Sequence, residues 1–209
     1  MRERPAAPSI ADADGQPGHG GLRADARRNE RTILQTAARL LAEDPSASMQ
    51  AIADAAGVSR PTVYRRFLSR DALIDAIRNE ALAEVLERLE AAAASQEPAA
   101  GALERLIREL AGVAARYPLL LELFRRGQQH GPPAQKPALP QVARAFDALV
   151  ARGLRDGTLR TGLRADVLRQ VTIGGLAVAL RLGHASGRDP EEIGSDVASI
   201  VLGGVRATG

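Results

Sequence analysis

The chain has no cysteine and no tryptophan, and its aromatic side chains are three phenylalanines and two tyrosines. Without cysteine there is no disulfide framework, no thiolate zinc site and no thiol nucleophile, and the usage fits a reducing cytoplasm. With aromatics at 2%, the interior must be closed by Ala, Leu and Val. Small aliphatic side chains in such numbers favour helices packed closely on one another, an all-α fold. Long apolar runs are scarce as well. The N-terminal stretch has none, so neither a signal peptide nor a membrane span is expected there. Residues 171–182 are apolar but short, with Arg181 among them, and read as a buried helix. Lysine is nearly missing: Lys136 is the single one, so the formal charge of +3 rests on arginine. In bulk that bias says little about nucleic acid, and the placement of the arginines says more.

Histidine is equally sparse. His19, His130 and His184 stand far apart with no two at ligand spacing, so no metal site is expected. There is no glycine-rich phosphate loop after a strand, no nucleophile elbow and no outstanding carboxylate pair. Gly174-Gly175 lies in a helical context and reads as close helix packing. These absences predict a protein that is not an enzyme and needs no cofactor.

What the chain does have is helical periodicity. Residues 1–22 mix Pro, Gly, Ala, Asp and Arg without a period and read as a disordered tail, with Arg2 and Arg4 as a potential basic arm. Residues 23–42 carry Ile33, Ala37, Leu40 and Leu41 on one face, and Asp44-Pro45-Ser46 breaks the helix. Two short helices follow. A fourth helix, capped by Ser69, carries an apolar stripe from Leu73 to Leu89 and ends at the break over 95–100. Helical patterns then cover 103–116, a short segment opened by Pro118, and 142–155, 166–182 and 191–205, with a Pro- and Gly-rich loop at 127–140. That predicts nine helices and no strand.

The two short helices carry the densest information. Ile52, Ala53 and Ala56 make a small apolar face, and Gly57 ends that helix by tolerating positive φ. Val58 is an apolar plug, Ser48 and Ser59 are N-cap residues, and Pro61 lies in the first turn, where its missing N–H breaks no bond. Val63 and Phe67, four apart, pack back onto the first helix, leaving Thr62, Tyr64, Arg65 and Arg66 pointing elsewhere. The pattern is a helix-turn-helix whose second helix suits a major groove.

Ile52-Ala53, Ala56-Gly57-Val58-Ser59, Thr62-Val63-Tyr64, Phe67 and the stretch 69–73 together resemble the DNA-binding signature of tetracycline-repressor-type regulators. The match covers about a quarter of the chain but fixes many spacings at once. Lactose-repressor-type proteins share part of the pattern, yet they place it at the extreme N-terminus before a large α/β domain. Here a helix precedes it and no α/β pattern follows.

The resemblance implies a three-helix DNA-binding head at 23–68, then a linker helix with a ligand-binding and dimerisation domain at 69–209, in a cytoplasmic homodimer on near-palindromic operator DNA. It places Arg60, Pro61, Thr62, Tyr64 and Arg65 on the groove side. Arg60 and Arg65 suit guanine and Gln50 suits adenine, while Ser48, Tyr64, Arg66 and Arg70 are assigned to phosphates. It also implies a largely apolar effector pocket among Leu106, Leu110, Leu120, Phe124, Phe146 and Leu149, with Tyr117 or Gln128 as polar contacts. A dimer seam is expected from Val171, Gly174, Gly175, Ala177, Val178, Ile200, Val201, Gly203 and Gly204. The function implied is a transcriptional regulator, a repressor released by a small ligand. The alternatives are a ligand-binding or interaction protein with a vestigial head, and a small helical enzyme.

Overall fold

The computed structural model describes residues 19–118 and 138–206. Eight helices are present among them: α1 (His19–Glu43), α2 (Met49–Ala55), α3 (Arg60–Arg66), α4 (Arg70–Ala94), α5 (Ala99–Arg116), α6 (Ala138–Arg155), α7 (Ala165–Ala185) and α8 (Pro190–Val205). Among the described residues the sole β feature is an isolated antiparallel bridge between Leu159 and Arg206. The all-α expectation holds. The segment opened by Pro118 and most of the 127–140 loop lie outside the described residues, as do Arg2, Arg4 and the tail up to residue 18.

Three boundaries differ from the sequence reading. Helix α1 starts at His19 instead of Arg23, because Gly20 and Gly21 weaken a helix without forbidding it. Helix α6 starts at Ala138, so Pro140 falls in its first turn rather than in the loop. Helix α5 starts at Ala99 instead of Leu103. Its N-cap position is Pro98, which has no side chain able to cap. Distant groups satisfy the open amides: Asp156 Oδ2 accepts from the Ala99 N–H at 3.0 Å, and Thr158 Oγ1 accepts from the Ala100 N–H at 3.2 Å. The Thr158 hydroxyl, and then the amides it joins, hold the Asp156 carboxyl below the usual range.

The buried side chains form one cluster running from Ile33 in α1 to Val205 in α8. Helix α5 lies at its centre, with Leu103, Leu106 and Ile107 fully enclosed. Against it lies α8, drawn in at Gly194: a Cβ there would stand 2.8 Å from Ala111 Cβ and 2.9 Å from Arg108 Cα. Neither a methyl nor a backbone atom can swing aside. Gly194→Ala is therefore expected to cost about 1–3 kcal/mol through overpacking, read as a lower urea midpoint. An unchanged midpoint would mean that α8 can slide freely on α5.

Candidate nucleic-acid interface and effector cavity

In the head, Met49, Ile52 and Ala53 of α2 are buried, and Ser48 Oγ accepts from the Ala51 N–H at 3.1 Å as the N-cap. The turn that follows is a paired-bond helix stop. The Gly57 N–H reaches the Asp54 carbonyl at 3.1 Å and the Val58 N–H reaches the Ala53 carbonyl at 3.0 Å, with Gly57 at φ 67°. This fixes the angle at which α3 leaves. Ser59 occupies the N-cap position of α3 but makes no side-chain cap bond. Its hydroxyl instead pairs with that of Thr62 at 2.8 Å, a correction to the expected capping role. Val63 and Phe67 anchor the inner side of α3.

With those two anchored, Arg60, Pro61, Tyr64 and Arg65 stand exposed and Thr62 half-buried. The Arg60 guanidinium lies 5.1 Å from the centre of the Tyr64 ring, a cation–π contact that restrains both side chains. Arg65 forms no hydrogen bond or ion pair among the described residues, so its whole donor fork faces outward. On α2, Gln50 Nε2 donates to Asp54 Oδ1 at 2.7 Å, which orients the amide while leaving its carbonyl open.

Of the residues assigned to phosphates, Arg66, Arg70 and Ser48 also make contacts within the head. Arg66 is ion-paired with Glu30 of α1. Arg70 donates to the Ala47 carbonyl at 3.0 Å and to the Pro45 carbonyl, so its guanidinium holds the α1–α2 turn. Ser48 accepts the helix-cap bond, and its exposed hydroxyl keeps its own O–H to donate. Arg66, Arg70 and Ser48 thus also hold the head together, while Arg60, Tyr64 and Arg65 stand exposed on α3. Leu68, directly after α3, is 85% exposed, and its apolar type gave no reason to single it out.

In the body, a narrow apolar cavity of about 50 Å³ lies between α4, α5, α6 and α7. It is lined by Val85, Leu89, Leu110, Ala114, Val142, Phe146, Arg169, Thr172, Ile173 and Leu176. Leu110 and Phe146 were expected there. Leu106 and Leu149 are buried elsewhere in the core, and Leu120, Phe124 and Gln128 lie outside the described residues. Arg169 and Thr172 were missed because α7 was read as a dimer helix alone; its inner face forms one cavity wall.

Tyr117, expected as a polar contact for the effector, is not in the cavity wall. It is fully buried at the end of α5, where its hydroxyl accepts from Gln35 Nε2 of α1 at 3.3 Å. Burial pushes the phenol pKa up. Among the described residues this is the one hydrogen bond joining α1–α3 to α5–α8.

The outer faces of α7 and α8 are apolar and uncovered. Val167, Val171, Gly174, Val178 and Leu182 share one face of α7, and Ile200, Gly203 and Gly204 stand exposed on α8, Ile200 at 77%. Gly175 and Ala177 are half-buried. Val201 is buried within the chain, so it belongs to the internal core rather than to this face. Among the described residues there is no cluster of metal-ligating side chains, and no helix is long and apolar enough to cross a membrane.

Residues 33–77 match the family model for bacterial regulatory proteins of the tetR family. No curated protein matches the chain. Several solved structures share its fold. A TetR transcriptional regulator from Streptomyces coelicolor is 24% identical, with a TM-score of 0.64 over 85% of this chain and 98% of its own. The ketosteroid transcriptional regulator KstR2 of Mycobacterium tuberculosis is 19% identical, with a TM-score of 0.65 over 87% and 96%. The regulator FadR of Bacillus subtilis, solved in complex with stearoyl-CoA, is 18% identical, with a TM-score of 0.62 over 83% and 97%. The head thus carries the DNA-binding signature of the tetR family, and the described helices share the fold of these solved TetR regulators.

Proposed function

We propose that the protein works as a homodimer that represses transcription from a near-palindromic operator and leaves it when a small, largely apolar effector enters the body. The observation that carries this reading is the α2–α3 unit: a rigid glycine turn presents Arg60, Tyr64 and Arg65 outward on an anchored helix. Dimerisation is supported by the uncovered apolar face of α7 and α8, which a water-exposed monomer has no reason to keep. Effector binding is supported by the cavity and by a neighbour of the same fold that holds stearoyl-CoA.

Two physical links support the relay between cavity and operator. Helix α4 starts at the head, capped by Ser69 Oγ on the Ala72 N–H at 3.1 Å, and supplies Val85 and Leu89 to the cavity wall. The Gln35–Tyr117 bond ties α1 to the end of α5 independently of α4. A ligand that shifts these helices alters the spacing of two heads, which must lie roughly 34–36 Å apart to enter successive major grooves. Linkage then requires operator DNA to weaken effector binding by the same factor.

The reading is tested by fluorescence anisotropy with DNA flanking the protein's own gene. Binding should exceed that to random duplex and should weaken linearly in log Kd against log salt. Equal affinity for both duplexes would contradict it. The tether has its own test. Tyr117→Phe keeps the ring that fills the site and removes the hydroxyl, so the protein should fold. Spin labels on Glu43→Cys, in a chain with no native cysteine, should then report a broader head-to-head distance distribution. An unchanged width would show that α4 alone sets the head position.

A further inference from the structure

We propose that a groove on the far side of α5 from the effector cavity is a second binding site, one that takes a small molecule carrying a diphosphate. The groove encloses about 410 Å³ where α4, α5 and the start of α8 meet. Residues two apart on a helix face opposite ways. On α5, Leu110 and Ala114 line the cavity, whereas Arg108, Gly112 and Arg116 line the groove. Helix α5 therefore separates the two.

The surface turned to the groove is mostly polar. Arg88 of α4 and Arg105, Arg108 and Arg116 of α5 line it, against the carboxylates of Glu109 and Glu191. Internal pairs use these arginines unequally. Arg105 is neutralised between Glu97 and Glu109, at 3.0 and 3.1 Å. Arg116 gives Nη2 to Glu84, a carboxylate of α4 that is itself only 8% exposed. Arg88 stands 3.8 Å from the same Glu84 oxygen, too far for a hydrogen bond. Arg108 is exposed and has no hydrogen bond or ion pair among the described residues. Three guanidiniums thus keep donors to spare, and two of them meet over one carboxylate oxygen.

Gly112 forms the floor. Glycine is the weakest helix former after proline, and close packing does not call for one here. The one atom near its absent Cβ is Arg116 Nη1, at 3.5 Å. What the glycine provides is an open floor beneath a guanidinium.

The spacing selects the ligand. Arg88 and Arg116 converge on one point, which suits a phosphoryl group held between two guanidinium forks. Arg108 precedes Arg116 by eight residues, about 12 Å along the axis. One small oxyanion cannot touch all three, whereas two linked phosphoryl groups extend toward Arg108. The Glu191 carboxylate, without a partner among the described residues, disfavours a longer run of negative charge. Such a ligand bridges α4, which carries the head, to α5.

Calorimetry on the full-length protein at constant ionic strength compares inorganic pyrophosphate, ADP and inorganic phosphate. Pyrophosphate or ADP should bind at least about tenfold tighter than phosphate, as one added hydrogen bond between charged groups implies. Tighter pyrophosphate assigns the site to a free diphosphate, tighter ADP to a diphosphate ester, and equal affinity to the diphosphate alone. Arg108→Gln and Arg88→Gln should each weaken the preferred ligand about tenfold, and Glu191→Gln should tighten it. These three side chains make no hydrogen bond among the described residues, so the variants should fold. Phosphate binding as tightly as the diphosphates, no binding of either diphosphate, or a preference that survives either arginine variant would overturn the inference. None of these outcomes bears on operator binding or on the effector cavity.

Discussion

Ile200→Glu should yield a folded monomer of 22.0 kDa in sedimentation and abolish specific operator binding. Ile200 is 77% exposed in the single chain, so the substitution removes nothing from the internal core. In a two-fold interface the same change enters twice, once from each protomer. An unpaired charge buried against apolar surface costs about 3–5 kcal/mol, and each 1.4 kcal/mol is roughly a tenfold change in association. The dimer should therefore weaken by on the order of a hundredfold or more. Operator affinity should fall with it, because one head then binds without its partner. Val201→Glu, one residue on but buried within the chain, should instead destabilise the monomer itself. A dimer that survives Ile200→Glu would remove α8 from the interface.

Arg65→Ala should cost specificity more than affinity. The side chain is exposed on α3 and has no partner among the described residues, so its loss disturbs nothing inside the head. If its fork pairs with a guanine edge, about 1–3 kcal/mol of discrimination should vanish at one base pair per half-site. Arg66→Ala serves as the contrast. Its ion pair with Glu30 is partly exposed on both sides, so the stability cost should stay within about 1 kcal/mol. Any larger loss of DNA binding would then come from phosphates, and would be similar for all sequences with a flatter salt dependence. Arg65→Ala that leaves both specific and random binding unchanged would show that another side chain reads the base.

The head was legible in the sequence because its determinants are local. Gly57, Ser48, Val63 and Phe67 each act within one or two turns of where they stand, so spacing alone exposes them. The start of α5 was not legible, because its cap comes from Asp156 and Thr158, more than fifty residues away. Glycines misled for a related reason. Sequence shows that a residue is small, not what it faces: Gly203 and Gly204 look out on open space, whereas Gly194 carries the close approach to α5. Likewise Ile200 and Val201 read alike in a helical pattern, and only the position of α5 and α7 decides which is interior. Tyr117 was assigned to the ligand because nothing near it in sequence announces Gln35 of α1.

The central claim is that two copies of the α2–α3 unit read DNA together, and in vitro selection from a random duplex pool with the full-length protein tests it most directly. The account predicts enrichment of inverted half-sites whose centres lie about one helical turn apart, with the half-site preference relaxed at one position by Arg65→Ala. A selected pool that shows no inverted pair, or a pool no different from the starting one, would contradict it.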